Sequence, residues 1–181
     1  MGTFGDRARA LFSRSDIMIF VTVGSQLPFD RLIKAVDQWA GFNSSQSVFA
    51  QIGLSDYRPQ YIDYCQMLTP KDYEAYCQKA DLIISHAGTG TILSALEIGK
   101  PLLMMPRLKN AGEIRNDHQL ATAKYFPALA NITIVPNEME LIETLSQFII
   151  KPPVLANGVQ PSVSPDLINA IQAFIHTMDS L

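Results

Sequence analysis

Charge is scarce in this chain. Only 17% of its 181 residues are Asp, Glu, Lys or Arg, and the net charge is −3. A basic footprint for nucleic acid is therefore absent, and with 48% hydrophobic residues the composition excludes a disordered polymer. Cysteine is nearly absent as well. Cys65 and Cys77 fall in different predicted elements, and no ligand spacing of the zinc type occurs, so both read as reduced, packed thiols. No apolar run approaches the roughly 18 residues of a membrane span. The longest, Ile17 to Val23, reads as one buried strand. The first residues carry Arg7, Arg9 and Arg14 around Leu11 and Phe12 but lack the apolar core of about 7–15 residues of a signal peptide. Residues 1–15 are expected to be an appendage, a flexible leader in preference to a membrane-surface contact. There is no internal repeat and no Asp-x-Asp motif, so neither metal nor cofactor is expected.

What the chain does have is alternation of strand and helix patterns. The run Ile17 to Val23 suits a strand buried on both faces. Gly24-Ser25-Gln26 breaks it, Pro28 suits a helix start, and Phe29, Leu32, Ile33, Val36 and Trp39 recur at helical spacing. Ser47 to Ile52 is a second strand and Tyr61 to Leu68 a weaker third. Thr69 and Pro70 have the chemistry of an N-cap and first turn for a helix reaching Lys79. Strands at Asp81 to Ser85, Pro101 to Met105 and Asn131 to Val135 then alternate with helices at Thr89 to Ile98, Asn116 to Tyr125 and Glu138 to Ile150. Such alternation predicts a doubly wound α/β domain with a parallel sheet over residues 16–150. From Lys151 to Pro165 there are four prolines and one glycine. Residues 151–164 are read as a linker and 165–181 as an amphipathic C-terminal helix, which folds back on its own domain or docks on another chain.

Ligands of open parallel sheets bind beyond the carboxyl ends of the strands. Three loops collect there. Gly24, Ser25 and Gln26 follow the first strand, where a glycine permits close backbone approach; a plain tight turn explains them equally well. Ser85-His86-Ala87-Gly88-Thr89-Gly90-Thr91 joins a buried strand to a helix, and its glycines and threonines would cradle a diphosphate through backbone N–H groups and hydroxyls. It is neither a P-loop nor a full dinucleotide fingerprint. His86 packs, caps or touches ligand; its strand-end position favours the ligand. The third loop, Arg107 to Gln119, is long and polar, as a solvated loop or a sugar-binding surface would be.

At these loops the sequence resembles a family. His86-Ala87-Gly88-Thr89-Gly90-Thr91, then Ala95-Leu96-Glu97-Ile98-Gly99-Lys100-Pro101, then Asn116-Asp117-His118-Gln119, resemble in order and spacing the C-terminal donor domain of the MurG-like glycosyltransferases of GT-B type. The likeness is nearest to free-standing donor subunits of two-component enzymes. These include the eukaryotic pair that adds the second N-acetylglucosamine to dolichol diphosphate and the bacterial pairs of exopolysaccharide and capsule synthesis. The opening Val21 to Leu32 looks like the bacterial version.

The resemblance implies a Rossmann-like C-terminal half of GT-B and a UDP-sugar-dependent hexosyltransferase subunit. It implies that His86 is catalytic and that Gly88, Thr89, Gly90 and Thr91 hold the donor diphosphate. Asn116, Asp117, His118 and Gln119 would face the sugar, with Gly24, Ser25 and Gln26 also in the donor site. Many relatives place a ribose-binding glutamate where this chain has Ser94; Glu97, one helical turn later, shares its face and either residue could serve. Leaving-group charge would be stabilised by the loop and helix dipole without metal. A two-domain enzyme needs about twice this length, so a membrane-anchored partner is expected to supply the lipid-linked saccharide acceptor site and general base. That places the chain in the cytoplasm, at the inner face of the plasma membrane through its partner. A nucleotide-sugar hydrolase acting alone, or a non-catalytic nucleotide-sugar-binding subunit, remain the alternatives.

Overall fold

The computed structural model describes residues 17–116, 119 and 131–150. The expected appendage, linker and C-terminal helix, most of the helix expected from Asn116 to Tyr125, and the site residues Asp117 and His118 lie outside the described residues. The described elements run β1 (Met18–Thr22), α1 (Asp30–Phe42), β2 (Ser47–Gln51), β3 (Asp63–Cys65), α2 (Pro70–Lys79), β4 (Leu82–His86), α3 (Thr89–Glu97), β5 (Leu102–Met105), β6 (Ile132–Ile134) and α4 (Glu138–Ile150). The six strands form one sheet in the order β3-β2-β1-β4-β5-β6, and every pairing is parallel. This is the doubly wound α/β fold expected from the alternation.

The continuous apolar runs arise because the central strands are covered on both sides. Ile19, Val21, Ile84, Leu103 and Met105 face one core, packed with Leu32, Ile33, Val36 and Trp39 of α1 and Leu141 and Leu145 of α4. The alternate residues Phe20, Ile83, Leu102 and Met104 face the other, packed with Cys77, Ile92, Ala95 and Leu96. There α2 lays its aromatic side on the sheet: Tyr76 stacks on Phe49 at 4.1 Å and on Phe20 at 5.5 Å, with Tyr73 edge-on to Phe20 at 5.6 Å. On the opposite side Trp39 Nε1 donates to Ser146 Oγ at 3.2 Å, tying α1 to α4.

Thr69 caps α2 as its sequence suggested, accepting from the Asp72 N–H at 3.2 Å, with Pro70 in the first turn. Helix α1 begins at Asp30 with Phe29 as its N-cap, so Pro28 lies near the helix start as expected, two residues ahead of it in the exposed loop. One boundary differs from expectation. The third strand is three residues long, not eight. It pairs with β2 on one side, and Asp63 and Tyr64 stay exposed; half-covered and at the end of the sheet order, it lacks the partner that would extend it.

The connection from β2 to β3 is fastened by one buried carboxylate. Asp37, 1% exposed on α1, accepts from the Tyr57 hydroxyl at 2.6 Å and from the backbone N–H groups of Gln60 and Tyr61 at 2.8–3.1 Å. Its hydrogen bond pushes the Tyr57 phenol up to about 12. Replacing Asp37 by Ala strands three donors, so chemical denaturation should register a loss of about 3 kcal/mol. In Asp37→Asn, ultraviolet titration should find the Tyr57 phenol back toward its ordinary value near 10. An unchanged phenol titration would remove Asp37 as its cause.

Candidate functional site

The connection from β1 turns toward β2 and that from β4 toward β5, so the crevice of the sheet opens beyond Thr22 and His86. Gly24, Ser25 and Gln26 lie on the loop after β1, His86 ends β4, Gly88 lies in the turn after it, and Thr89, Gly90 and Thr91 open α3.

His86 is the wedge between those loops. A methyl group on Gly24 would come within 2.8 Å of its Cε1, and one on Gly88 would collide with its Nε2. Gly24 is also held at φ +75°, a conformation that a side chain disfavours. Gly53, at φ +60°, approaches from the third side, where a methyl would sit 3.1 Å from the Gly24 carbonyl oxygen. Glycine is thus required by contact as well as by dihedral angle. The imidazole lies 3.3 Å from Ser85 Oγ through Nδ1. Its pKa is pushed down to about 4, first by desolvation and then by the Arg107 charge, against a hydrogen bond to the Thr22 backbone. At neutral pH the residue is therefore a neutral imidazole.

Gly88 is the N-cap of α3, and no side chain caps that end. Among the described residues no acceptor takes the backbone N–H of Thr89, Gly90 or Thr91. They are the orphan donors that make a helix N-terminus an anion site. The Thr91 hydroxyl points elsewhere: it is buried and accepts from the Tyr73 hydroxyl at 3.2 Å. Thr89 is half-buried and Gly90 exposed. Further along α3, Ser94 is half-buried and Glu97 exposed.

On the β5 side, Pro106 and Arg107 continue the buried strand into the polar loop. Gln119 is 5% exposed, and its Oε1 accepts from the Arg107 backbone N–H at 3.0 Å. Its carbonyl is committed to that bond, leaving only its amide nitrogen for a ligand. Asn116 is exposed on the same loop. The loop is folded on itself by Glu113, which accepts from the Leu108 N–H at 2.8 Å and takes Arg31 of α1 at 2.7 and 2.9 Å. Arg31 also reaches Glu138 of α4 at 3.1 Å and the Pro106 carbonyl at 3.1 Å. Sequence reasoning missed this cross-link and the burial of Arg107. A cation directly after the apolar run Leu102 to Pro106 was the available signal. Among the described residues no group of three or more His, Cys, Asp or Glu could hold a metal ion.

His86 gives a pH prediction with a definite sign. A histidine near 4 when folded and near 6.5 when unfolded binds its proton first in the unfolded chain, so the stability it contributes is full above pH 6.5 and is lost as pH falls through 4. The loss is on the order of 3 kcal/mol at most. Denaturant midpoints of the wild type and His86→Asn, compared from pH 7.5 to 4.5, should show a steeper decline in the wild type. Parallel declines would mean that the imidazole is charged in the folded protein.

The likeness to known proteins agrees with this geometry. Residues 18–157 match the model of the glycosyltransferase family 28 C-terminal domain. The chain is 36% identical over 117 residues to the human "UDP-N-acetylglucosamine transferase subunit ALG13", an alignment covering 59% of this chain and 10% of that protein. It is 29% identical over 124 residues to the Yarrowia lipolytica protein of the same name, covering 60% of this chain and 59% of that one. The chain thus spans less than two thirds of the length of these eukaryotic relatives. A solved glycosyltransferase of kitacinnamycin superposes with a TM-score of 0.62 at 19% identity, over 86% of this chain and 43% of that chain, a likeness of fold alone. The parallel sheet, with its glycine-threonine loop at the switch point, has the Rossmann-like fold of the C-terminal half of GT-B glycosyltransferases, and this chain belongs to the glycosyltransferase family 28 C-terminal domain family.

Proposed function

We propose that this chain is the donor-binding, catalytic subunit of a glycosyltransferase that moves a sugar from a UDP-sugar to a lipid-linked saccharide. The observation that carries the reading is the uncapped N-terminus of α3 at the sheet's switch point, in a chain of this family. The N–H groups of Thr89, Gly90 and Thr91 are the donors for the diphosphate. Thr89 adds a hydroxyl, while Thr91 contributes through its backbone because its side chain is engaged with Tyr73. As the bond from the sugar C1 to the β-phosphate oxygen breaks and the acceptor oxygen bonds to C1, negative charge builds on the departing UDP. Fixed N–H dipoles and the helix end favour that charge.

In this reading His86 touches the donor as a neutral imidazole on the floor of the crevice. Ser94 or Glu97 takes the ribose, and Asn116, Asp117, His118 and the amide of Gln119 face the sugar, with Gly24, Ser25 and Gln26 on the opposite wall. The acceptor's proton goes to a general base on a membrane-anchored partner subunit, which also binds the acceptor. The two relatives' names, as subunits of a UDP-N-acetylglucosamine transferase, make UDP-N-acetylglucosamine the first donor to test. A role in exopolysaccharide or capsule synthesis, at the cytoplasmic face of the plasma membrane through the partner, is supported by the resemblance of Val21 to Leu32 to the bacterial subunits.

Calorimetric titration of the full chain with UDP and UDP-sugars tests the reading. Binding is expected, and Gly90→Pro, which removes one N–H, should weaken it by about 2–3 kcal/mol. Glu97→Ala should weaken it only if the ribose contact lies there. Binding indifferent to Gly90→Pro would sink the α3 site. Release of free sugar from a UDP-sugar by the chain alone would replace transfer by hydrolysis.

A further inference from the structure

Arg107 is 3% exposed, yet its side chain belongs to no ion pair among the described residues. Its Nη2 group donates to two carbonyls, Val23 at 2.8 Å and Leu27 at 2.6 Å. Those carbonyls bracket Gly24, Ser25 and Gln26. The guanidinium packs 5.1 Å from the centre of the Phe29 ring, whose residue caps α1. Among the described residues its buried Nε meets no acceptor. At its own backbone, Arg107 is gripped by Gln119. One residue therefore joins the polar loop after β5 to both ends of the loop after β1.

A buried cation with an unpaired donor costs stability, and an apolar side chain of that size would fill the space against Phe29 more cheaply. What an apolar side chain cannot do is hold two carbonyls at a fixed span. We infer that Arg107 is a positioning residue for the donor site, a staple that sets the conformation of Gly24–Gln26 and links it to the Gln119 wall. It acts through that loop, whose two ends its Nη2 group holds. The consequence for binding rests on the donor-site reading above; the consequence for the loop does not. Both bonds leave from the one Nη2 nitrogen, and a lysine, which keeps the charge, ends one atom short of that point, so its ammonium does not reach both carbonyls. The Arg107 charge also contributes to keeping His86 neutral, which gives the staple a second local readout.

The test uses the full chain as wild type, Arg107→Lys and Arg107→Met, with amide hydrogen exchange followed by NMR alongside UDP-sugar titration. In Arg107→Lys, exchange at Gly24, whose N–H is held by the Thr22 hydroxyl at 3.3 Å, should accelerate about tenfold or more, while amides of the loop fastened by Asp37 keep wild-type rates. UDP-sugar affinity should fall about tenfold, as for a lost charged hydrogen bond. In Arg107→Met the His86 imidazole should also titrate at higher pH, a change that simple loosening of the core does not dictate. Should Arg107→Met fail to fold, Arg107→Lys alone decides. Wild-type exchange at Gly24 in Arg107→Lys would overturn the inference, as would equal acceleration in both loops, which is general destabilisation. If the wild type binds no UDP-sugar, the donor-site reading fails, and loop exchange still decides whether Arg107 sets the loop.

Discussion

Strands β1 and β4 lie side by side at the centre of the sheet, but the chain leaves them in opposite directions, toward β2 from one and toward β5 from the other. Two loops that diverge in this way cannot fill the space between them, so a crevice forms at their root whatever the side chains. The sequence at that root responds to a single packing demand. An imidazole must sit where two backbones pass close by, and so Gly24 and Gly88 flank His86 and Gly53 backs Gly24. A methyl group at either flanking position would force the ring out or part the loops.

The loops around the crevice are held by charge set inside a largely apolar body. Asp37 gathers the backbone before β3, Arg107 gathers the backbone after β1, and Arg31 bridges the loop after β5 to α1 and α4. Each anchors a segment with no periodic hydrogen bonds of its own, Asp37 from the middle of α1, Arg31 from its first turn and Arg107 from just beyond β5. Asp37 and Arg107 each satisfy two backbone groups that would otherwise be stranded, and Arg31 satisfies one together with two carboxylates. This explains why so few charged residues are spread over so many loops.

The sheet and its helices were legible in the sequence because they rest on periodicity, which is local. Ile17 to Val23 reads as doubly buried since its alternate residues enter two cores, and Thr69-Pro70 reads as a cap since its hydrogen bond spans three residues. The glycine-threonine loop was legible too, because strand, glycine and helix adjoin in the chain. The roles of Thr91 and Gln119 were not. Whether a hydroxyl faces a crevice or Tyr73, and whether an amide faces a sugar or the Arg107 backbone, is decided by partners 18 and 12 residues away. The short β3 escaped for a related reason: its length depends on what lies beyond the sheet edge and not on its own residues.

These placements fix where positive potential at the crevice comes from. His86 carries no charge at neutral pH, because burial and the Arg107 guanidinium both oppose its protonation. Arg107 stays charged, with its pKa near 10 even after desolvation, but it spends its hydrogen bonds on carbonyls beneath the loop. Among the described residues the uncapped N–H dipoles of α3 are free to meet an anion directly, and they do not titrate. An anion held there gains from the fixed helix end and from a buried guanidinium behind the loop, neither of which changes protonation between pH 5 and 8 on the ordinary scale of side-chain pKa values. On the protein's side, then, the hold on a diphosphate should be nearly level across neutral pH.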